Sequence, residues 1–269
     1  MNLTDKQISD IISLIRSSGK EILRIYHSDD FNTRIKDDNS PVTRADLASD
    51  KIIKSGLEQI SPGIPVYSEE TKETAYSVRS EWEKLWILDP LDGTKEFIAR
   101  NDEFCISLAL IINRIPAAGF IHAPVLNTTW YAIRDYGAWR LNNGEKQRLP
   151  FTETTGPYRI NISRSHHSAA EKSWIENFMK KHPAVTEITG SAIKFCRIAG
   201  GSSDIYPKFS LIHEWDIAAG DLIIGESGGK LIETGTGKPP LYNKEDYHQP
   251  PFIAFGRRSL RLNIADQIA

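Results

Sequence analysis

The run Trp86-Ile87-Leu88-Asp89-Pro90-Leu91-Asp92-Gly93-Thr94 constrains this chain more than any other stretch. An apolar segment with strand character ends in two carboxylates, and Pro90 fixes the turn between them. That geometry can turn both acidic side chains toward one point. Gly93 lets the backbone come close to a ligand, and Thr94 can open a short helix whose N–H groups suit a phosphate oxygen. Two further segments share this character. Tyr67-Ser68-Glu69-Glu70 places acids at the end of a strand, and Trp215-Asp216 places one at the opening of an apolar helix. Alone, Asp216 reads as an ordinary N-cap. Together the acids need an explanation, because two carboxylates about 4 Å apart repel by roughly 4 kcal/mol at an effective dielectric of ~20. Converging acids therefore require protons or cations. Oxygen donors with no His or Cys beside them in sequence favour Mg²⁺ over zinc. Four such acids and a phosphate dianion would be neutralised by roughly two to three Mg²⁺ ions, which is the logic of metal-assisted phosphoester hydrolysis.

The surrounding pattern predicts how these segments are carried. Ile8, Ile11, Ile12, Ile15, Ile22 and Tyr26 recur at helical spacing behind a Thr4–Gln7 capping box. A second helix is predicted from about Ala45 to Ile60, stopped by Ser61-Pro62-Gly63. From Ile64 to about Leu149 short β-rich runs alternate with turn signals such as Asn143-Gly144, so a mostly antiparallel sheet is expected there. Beyond residue 152 strands and helices alternate: strands near 159–162, 185–188, 204–206, 230–232 and 252–255, and helices near 169–181, 191–199 and 215–224, with a closing helix from Ser259. Two sub-domains, 1–152 and 153–269, are expected, the first carrying most of the acids and the second carrying Asp216. Segments 71–80 and 234–244 read as surface excursions.

Charge and composition exclude several classes. Lys+Arg number 33 against 35 Asp+Glu, a net charge of −2, so no nucleic-acid partner is expected. The longest apolar run, Cys105 to Ile112, is far shorter than the ~20 residues of a membrane span. The N-terminal stretch lacks the apolar core of a secretory signal, and Cys105 and Cys196 are widely separated. These features predict a cytoplasmic, thiol-reduced protein without structural zinc.

Asp89-Pro90-Leu91-Asp92-Gly93-Thr94 and Trp215-Asp216-Ile217-Ala218-Ala219-Gly220 followed by Gly228-Gly229 resemble, in this order, the two signatures of the inositol monophosphatase superfamily. The resemblance covers nearly the whole chain. Lys95-Glu96-Phe97, Ser163-Arg164-Ser165-His166 and Gly190-Ser191-Ala192-Ile193-Lys194-Phe195-Cys196 are similar to its bisphosphate nucleotidase branch. This implies a layered α/β/α/β/α sugar-phosphatase fold with the site between its two halves, and hydrolysis of the 3′-phosphate of adenosine 3′,5′-bisphosphate to AMP. The small-molecule phosphorylated nucleotide would be the partner. Inositol phosphates are the alternative substrates, and a sensor that binds without turnover is the non-enzymatic alternative. The resemblance leaves oligomeric state and peripheral attachment at the inner membrane open, and no basic amphipathic helix here requires the latter.

The same resemblance implies the site roles. Glu69, Asp89, Asp92 and Asp216 would be side-chain metal ligands, with the Leu91 carbonyl as a backbone ligand. Asp46 would accept a proton from the Thr94 hydroxyl, which orients and deprotonates the attacking water. Gly93 and Thr94 would hold phosphate oxygens; Ser191, Asp216 and either His166 or His167 would line the substrate site. Lys194 and Lys208 would receive the 5′-phosphate and ribose, Lys208 replacing the more usual arginine. Three other motifs are set aside. Gly225-Glu226-Ser227-Gly228-Gly229 matches a nucleophile elbow but follows a helix instead of a strand. Gly235-Thr236-Gly237-Lys238 lacks the spacing of a phosphate loop. His213 and Glu214 have no second histidine four residues away and read as loop residues.

Overall fold

The structure, a computed structural model, describes residues 3–28, 31, 33–35, 41–71, 74–152, 155–164 and 168–262. Helix α1 (Asp5–Tyr26) starts at the expected Thr4–Gln7 capping box, and α2 (Arg44–Ile60) starts at a second one, Thr43–Asp46. Between them β1 (Arg34–Ile35) and β2 (Pro41–Val42) form a short antiparallel ladder; the polar residues 37–40 lie outside the described residues. Ile11, Ile15 and Ile22 of α1 and Ile53 and Leu57 of α2 join one buried cluster.

That cluster covers one face of a sheet built in chain order from β3 (Val66–Ser68), β4 (Lys84–Asp92), β5 (Cys105–Ile112), β6 (Ile115–Ala123), β7 (Thr128–Ile133), β8 (Gly137–Asn142) and β9 (Glu145–Arg148). Only the β3–β4 pair is parallel; a 3-10 turn, Glu69–Thr71, and α3 (Tyr76–Arg79) lie in its connection, and α4 (Thr94–Ile98) follows β4. The period of two is visible in β4. Trp86 and Leu88 face α1 and α2, whereas Leu85 and Ile87 enter the core on the opposite face.

The second sheet has the order β11 (Ala184–Ile188), β10 (Tyr158–Ile162), β12 (Ile205–Lys208), β16 (Phe252–Phe255), β14 (Lys230–Glu233), and β13 (Ile212–His213) pairs with β15 (His248–Gln249) beside it. Helix α5 (Ala169–Lys181) packs Ile175 and Phe178 on one face of this sheet, against Ile160, Ile205, Ile253 and Phe255. Helices α6 (Ile193–Gly200) and α7 (Glu214–Glu226) share a core with the inner faces of both sheets. The layers are therefore α1/α2, seven-stranded sheet, α6/α7, five-stranded sheet, α5, the α/β/α/β/α arrangement expected. No helix among the described residues is long and apolar enough to cross a membrane.

Helix α7 is apolar on nearly all sides because it lies between two sheets. It approaches the first sheet closely at Gly119 on β6, where a Cβ would sit 2.8 Å from the Ala219 carbonyl oxygen. Several sequence expectations need correction. Segments 71–80 and 234–244 are not simple surface excursions, since Arg79, Tyr242 and Asn243 are buried. Strand β9 was not expected, and α6 begins after Ser191, whose left-handed backbone (φ 51°) delays the helix. The closing segment shows a 3-10 turn at Ser259–Arg261, and residues 263–269 lie outside the described residues.

Gly119→Ala should destabilise the fold by about 1–3 kcal/mol, because the atom it meets is backbone and cannot rotate away. Chemical denaturation checks this, and unchanged stability would mean that α7 has room to move off the sheet.

Candidate active site

Asp89 and Asp92 are three residues apart on one strand, so a regular pleat would point them to opposite faces. The strand is not regular there. Asp89 pairs with Ser107 and Asp92 with Cys105, which leaves one extra residue on β4, a bulge that returns both carboxylates to one side. The Asp89 carboxylate accepts the Leu91 N–H at 2.9 Å, and the Pro90 carbonyl accepts Ser49 Oγ of α2 at 2.7 Å, so the bulge is held from within and from behind. Gly93 then takes φ +94°, and a Cβ there would lie 3.0 Å from the Glu103 carbonyl oxygen.

Asp216 reaches the same place from α7. Its carboxylate accepts the His213 N–H at 2.8 Å from the third helical position, with His213 as the N-cap, so Asp216 is not the N-cap that an isolated reading predicts. Ser107, the cross-strand partner of Asp89, donates to the Trp215 carbonyl at 3.0 Å and so registers the start of α7 against the bulge. One oxygen each from Asp89, Asp92 and Asp216 lie within 4.8 Å of one another. Burial raises the Asp89 carboxyl well above the usual carboxylate range, and repulsion from Glu69, Asp92 and Asp216 adds to it. Burial likewise pushes Asp92 up to about 8, with Asp216 adding repulsion and Lys194 and the Ala192 N–H opposing. Glu69 and Leu91 line the same cleft, whose volume is about 270 Å³.

Asp46 sits beneath Thr94. Its Oδ2 accepts the Thr43 N–H and Oγ–H at 2.8 and 2.6 Å, and its Oδ1 accepts Thr94 Oγ1 at 3.1 Å. Burial lifts its carboxyl to about 6 against these hydrogen bonds. Thr94 Oγ1 is also 3.2 Å from the Leu91 carbonyl.

The cleft also carries cations. Lys194 and Lys208 line it and are only 5% and 4% exposed. Lys194 Nζ donates to the carbonyls of Ser191 and Thr189 at 2.7 and 3.2 Å, whereas the Lys208 ammonium has no hydrogen-bond partner among the described residues. Burial lowers both lysines from their ordinary value, with Glu171, Asp216 and Asp92 pulling Lys208 back up and Asp92 doing the same for Lys194. Gly93, Thr94 and Ser191 line the same cleft; His166 and His167 lie outside the described residues.

The structure also shows site residues that sequence reasoning missed. His213 and Glu214 are not loop residues: His213 ends β13 and lines the cleft, with its ring 4.7 Å from that of Trp215, and Glu214 is fully buried at the start of α7. Glu214 accepts the Asn243 and Lys244 N–H groups at 2.6 and 3.0 Å. Glu103 ties Gly190 to Arg164 across the cleft rim, at 2.9 and 2.7 Å. Cys105, on the neighbouring strand, and His213, three residues before Asp216, lie 3.8 Å from Asp92 and 3.5 Å from Asp216. Burial pushes the Cys105 thiol far up. Among the described residues the group able to hold a metal is the carboxylate triad, and its hard, mutually repelling oxygens suit a divalent cation such as Mg²⁺.

Fold and site together define a layered α/β protein with a carboxylate cluster able to hold a cation and two buried lysines in the same cleft. The chain belongs to the inositol monophosphatase family, whose sequence model matches residues 5–263. It is 39% identical over 238 residues to the 3′(2′),5′-bisphosphate nucleotidase CysQ of Buchnera aphidicola subsp. Acyrthosiphon pisum, covering 88% of this chain and 87% of that protein. With the CysQ of Escherichia coli K12 the identity is 36% over 247 residues, covering 91% and 98%. The crystal structure of CysQ from Bacteroides thetaiotaomicron superposes with a TM-score of 0.85 at 35% identity, covering 93% of this chain and 97% of that one. The fold is the inositol monophosphatase fold.

The electrostatics predict an unusual pH dependence of the metal-free protein. A carboxyl raised on folding stabilises the folded state while protonated, so that stability is lost as pH climbs from about 4 toward the raised value of Asp92, about 8. Asp92→Asn should therefore be more stable than the parent at pH 8 in a chelator, on the order of 1–3 kcal/mol, and equal to it near pH 4. Denaturant titrations at the two pH values test this; a mutant less stable than the parent at pH 8 would show that the cluster is not repulsive.

Proposed function

We propose that this chain is a Mg²⁺-dependent 3′(2′),5′-bisphosphate nucleotidase, a phosphoric monoester hydrolase that converts adenosine 3′,5′-bisphosphate to AMP and phosphate. The observation that carries the reading is one cleft lined by both a carboxylate triad and two buried lysines. Such a cleft suits a substrate with two anionic groups, one for the cation site and one for the lysines. The relatives named as bisphosphate nucleotidases, matched over nearly their full length, support the same substrate class. In this reading Glu69, Asp89, Asp92, Asp216 and the Leu91 carbonyl hold the cations, two or three by charge count. Residues 1–152 supply all but one of these ligands, and residues 153–269 supply Asp216 and the lysines. Mg²⁺, when bound, supplies neutralisation of the converging negative charge and Lewis-acid activation.

The chain's own residues supply the rest. Thr94 Oγ–H donates to Asp46, which leaves the hydroxyl lone pairs to accept a hydrogen bond from the attacking water. Asp46 is the terminal proton acceptor, and a carboxyl near 6 is poised for that role close to neutral pH. Gly93 lets the backbone at the start of α4 approach the phosphate without a side chain in the way. Lys208, buried and lacking a partner among the described residues, is assigned to the second phosphate; Lys194 orders Ser191 and adds positive charge beside it. Lysine offers a point charge where arginine offers a two-pronged fork, so binding should survive with less geometric discrimination.

Phosphate release should be fast from adenosine 3′,5′-bisphosphate in Mg²⁺ and slower from inositol monophosphates and 3′-AMP. Equal rates on inositol phosphates would assign the cleft to them instead, and binding without turnover would make the protein a sensor. Lys208→Ala should raise KM for the bisphosphate far more than for a single-phosphate substrate; equal changes would show that Lys208 does not read the second phosphate.

Thr94→Ala and Asp46→Asn should each lower kcat by on the order of 10²-fold or more. The double mutant should lose no more than the worse single mutant, and multiplicative losses in steady-state kinetics would break the relay into independent parts.

A further inference from the structure

Helix α2 meets the active-site segments with one face. Asp46, Ser49 and Asp50 stand at i, i+3 and i+4, all buried, above Ile53 and Leu57 in the core. Asp46 holds Thr94, and Ser49 holds the Pro90 carbonyl while accepting Ser18 Oγ of α1 at 2.9 Å. The third contact serves a different segment. Asp50 Oδ1 accepts Ser68 Oγ at 2.5 Å, a short charge-assisted bond with Ser68 fully buried. One turn on, Lys54 Nζ lies 3.5 Å from Asp50 Oδ2 and donates to Thr71 Oγ1 at 2.5 Å. Ser68 and Thr71 bracket Glu69, and Ser68 Oγ also accepts the Glu70 N–H at 3.3 Å.

We propose that Asp50 and Lys54 are positioning residues for Glu69, acting through Ser68 and Thr71 to fix the 3-10 turn and so to set the cation affinity of the cleft. This rests on the reading of Glu69 as a cation ligand. A tether is needed because Glu69 stands within repulsive range of both Asp89 and Asp46. Glu69 begins a turn of only three residues, and an untethered turn would relieve that repulsion by carrying the carboxylate outward. The anchor on α2 is rigid, since Ile53 and Leu57 root the helix in the core. Contacts of this kind, one step removed from a metal, set affinity by roughly 10–100-fold when lost.

The test is Mg²⁺ titration of the full chain by calorimetry, without substrate. Ser68→Ala and Asp50→Ala should each weaken Mg²⁺ binding about 10-fold. Lys54→Met, at a partly exposed position that leaves folding intact, should weaken it in the same direction by less. In a Glu69→Gln background, adding Ser68→Ala should cause no further loss. Affinity unchanged in all three variants while Glu69→Gln weakens it would overturn the positioning role and leave Glu69 a ligand. Affinity unchanged in Glu69→Gln itself would overturn the ligand reading. Equal losses from Ser68→Ala with and without Glu69 would assign the effect to general loosening and overturn the proposal.

Discussion

One extra residue in strand β4 is the constraint on which the rest depends. Without the bulge, Asp89 and Asp92 would point to opposite faces, one into the apolar layer under α1 and α2, where an unpaired carboxylate is costly. With it, both carboxylates leave the sheet on the side of α7, and Asp216 meets them there. The neighbouring elements fasten to this point. Ser49 of α2 holds the Pro90 carbonyl, Ser107 of β5 holds the Trp215 carbonyl, and Asp46 holds Thr94 one residue past the glycine. These contacts resist a repulsion that the carboxylates would otherwise relieve by moving apart. The protein therefore stores local instability where a cation can remove it, and the close contact of α7 with Gly119 supports that arrangement.

The elements with strong periodicity were legible in the sequence. The isoleucines of α1, the Thr4–Gln7 box, the alternation in β4 to β8 and the strand-helix order after residue 152 recur in the structure because local pattern and tertiary burial agree there. The acidic segments were legible as chemistry, since carboxylates at strand ends and helix starts with no sequence-adjacent partner demand something external. Long-range polar pairs were not legible. Arg79 and Asn243 exchange hydrogen bonds across 164 residues, and Glu214 holds the backbone of 243–244, so two apparent surface loops are pinned inward by groups that look solvent-seeking. Glu103, Gly190 and Arg164 likewise meet only in three dimensions. Gly190 offered a signal, since a glycine before a helix often marks crowding; a Cβ there would collide with the Glu96 and Glu103 side chains. The bulge itself was half legible: Pro90 announced an irregularity, but the pairing of Asp89 with Ser107 and Asp92 with Cys105 needs the neighbouring strand.

In the proposed reading the acids and the lysines of the cleft divide the chemistry. The acids suit any phosphomonoester, because a cation held by them would see only the group being cleaved. In that reading the lysines decide what else the substrate carries, and they come from β12 and α6, both outside the seven-stranded sheet. Selectivity can then change without disturbing the bulge, which is consistent with one fold serving different phosphate esters.

Asp89, Asp92 and Asp216 converge at a point where a divalent cation can be held. Mn²⁺ can stand in for Mg²⁺ at oxygen sites, and it scatters anomalously. Diffraction from crystals grown with Mn²⁺ should give an anomalous peak bounded by the three carboxylates. A protein that turns over in Mn²⁺ yet shows no peak within that triangle would contradict the account.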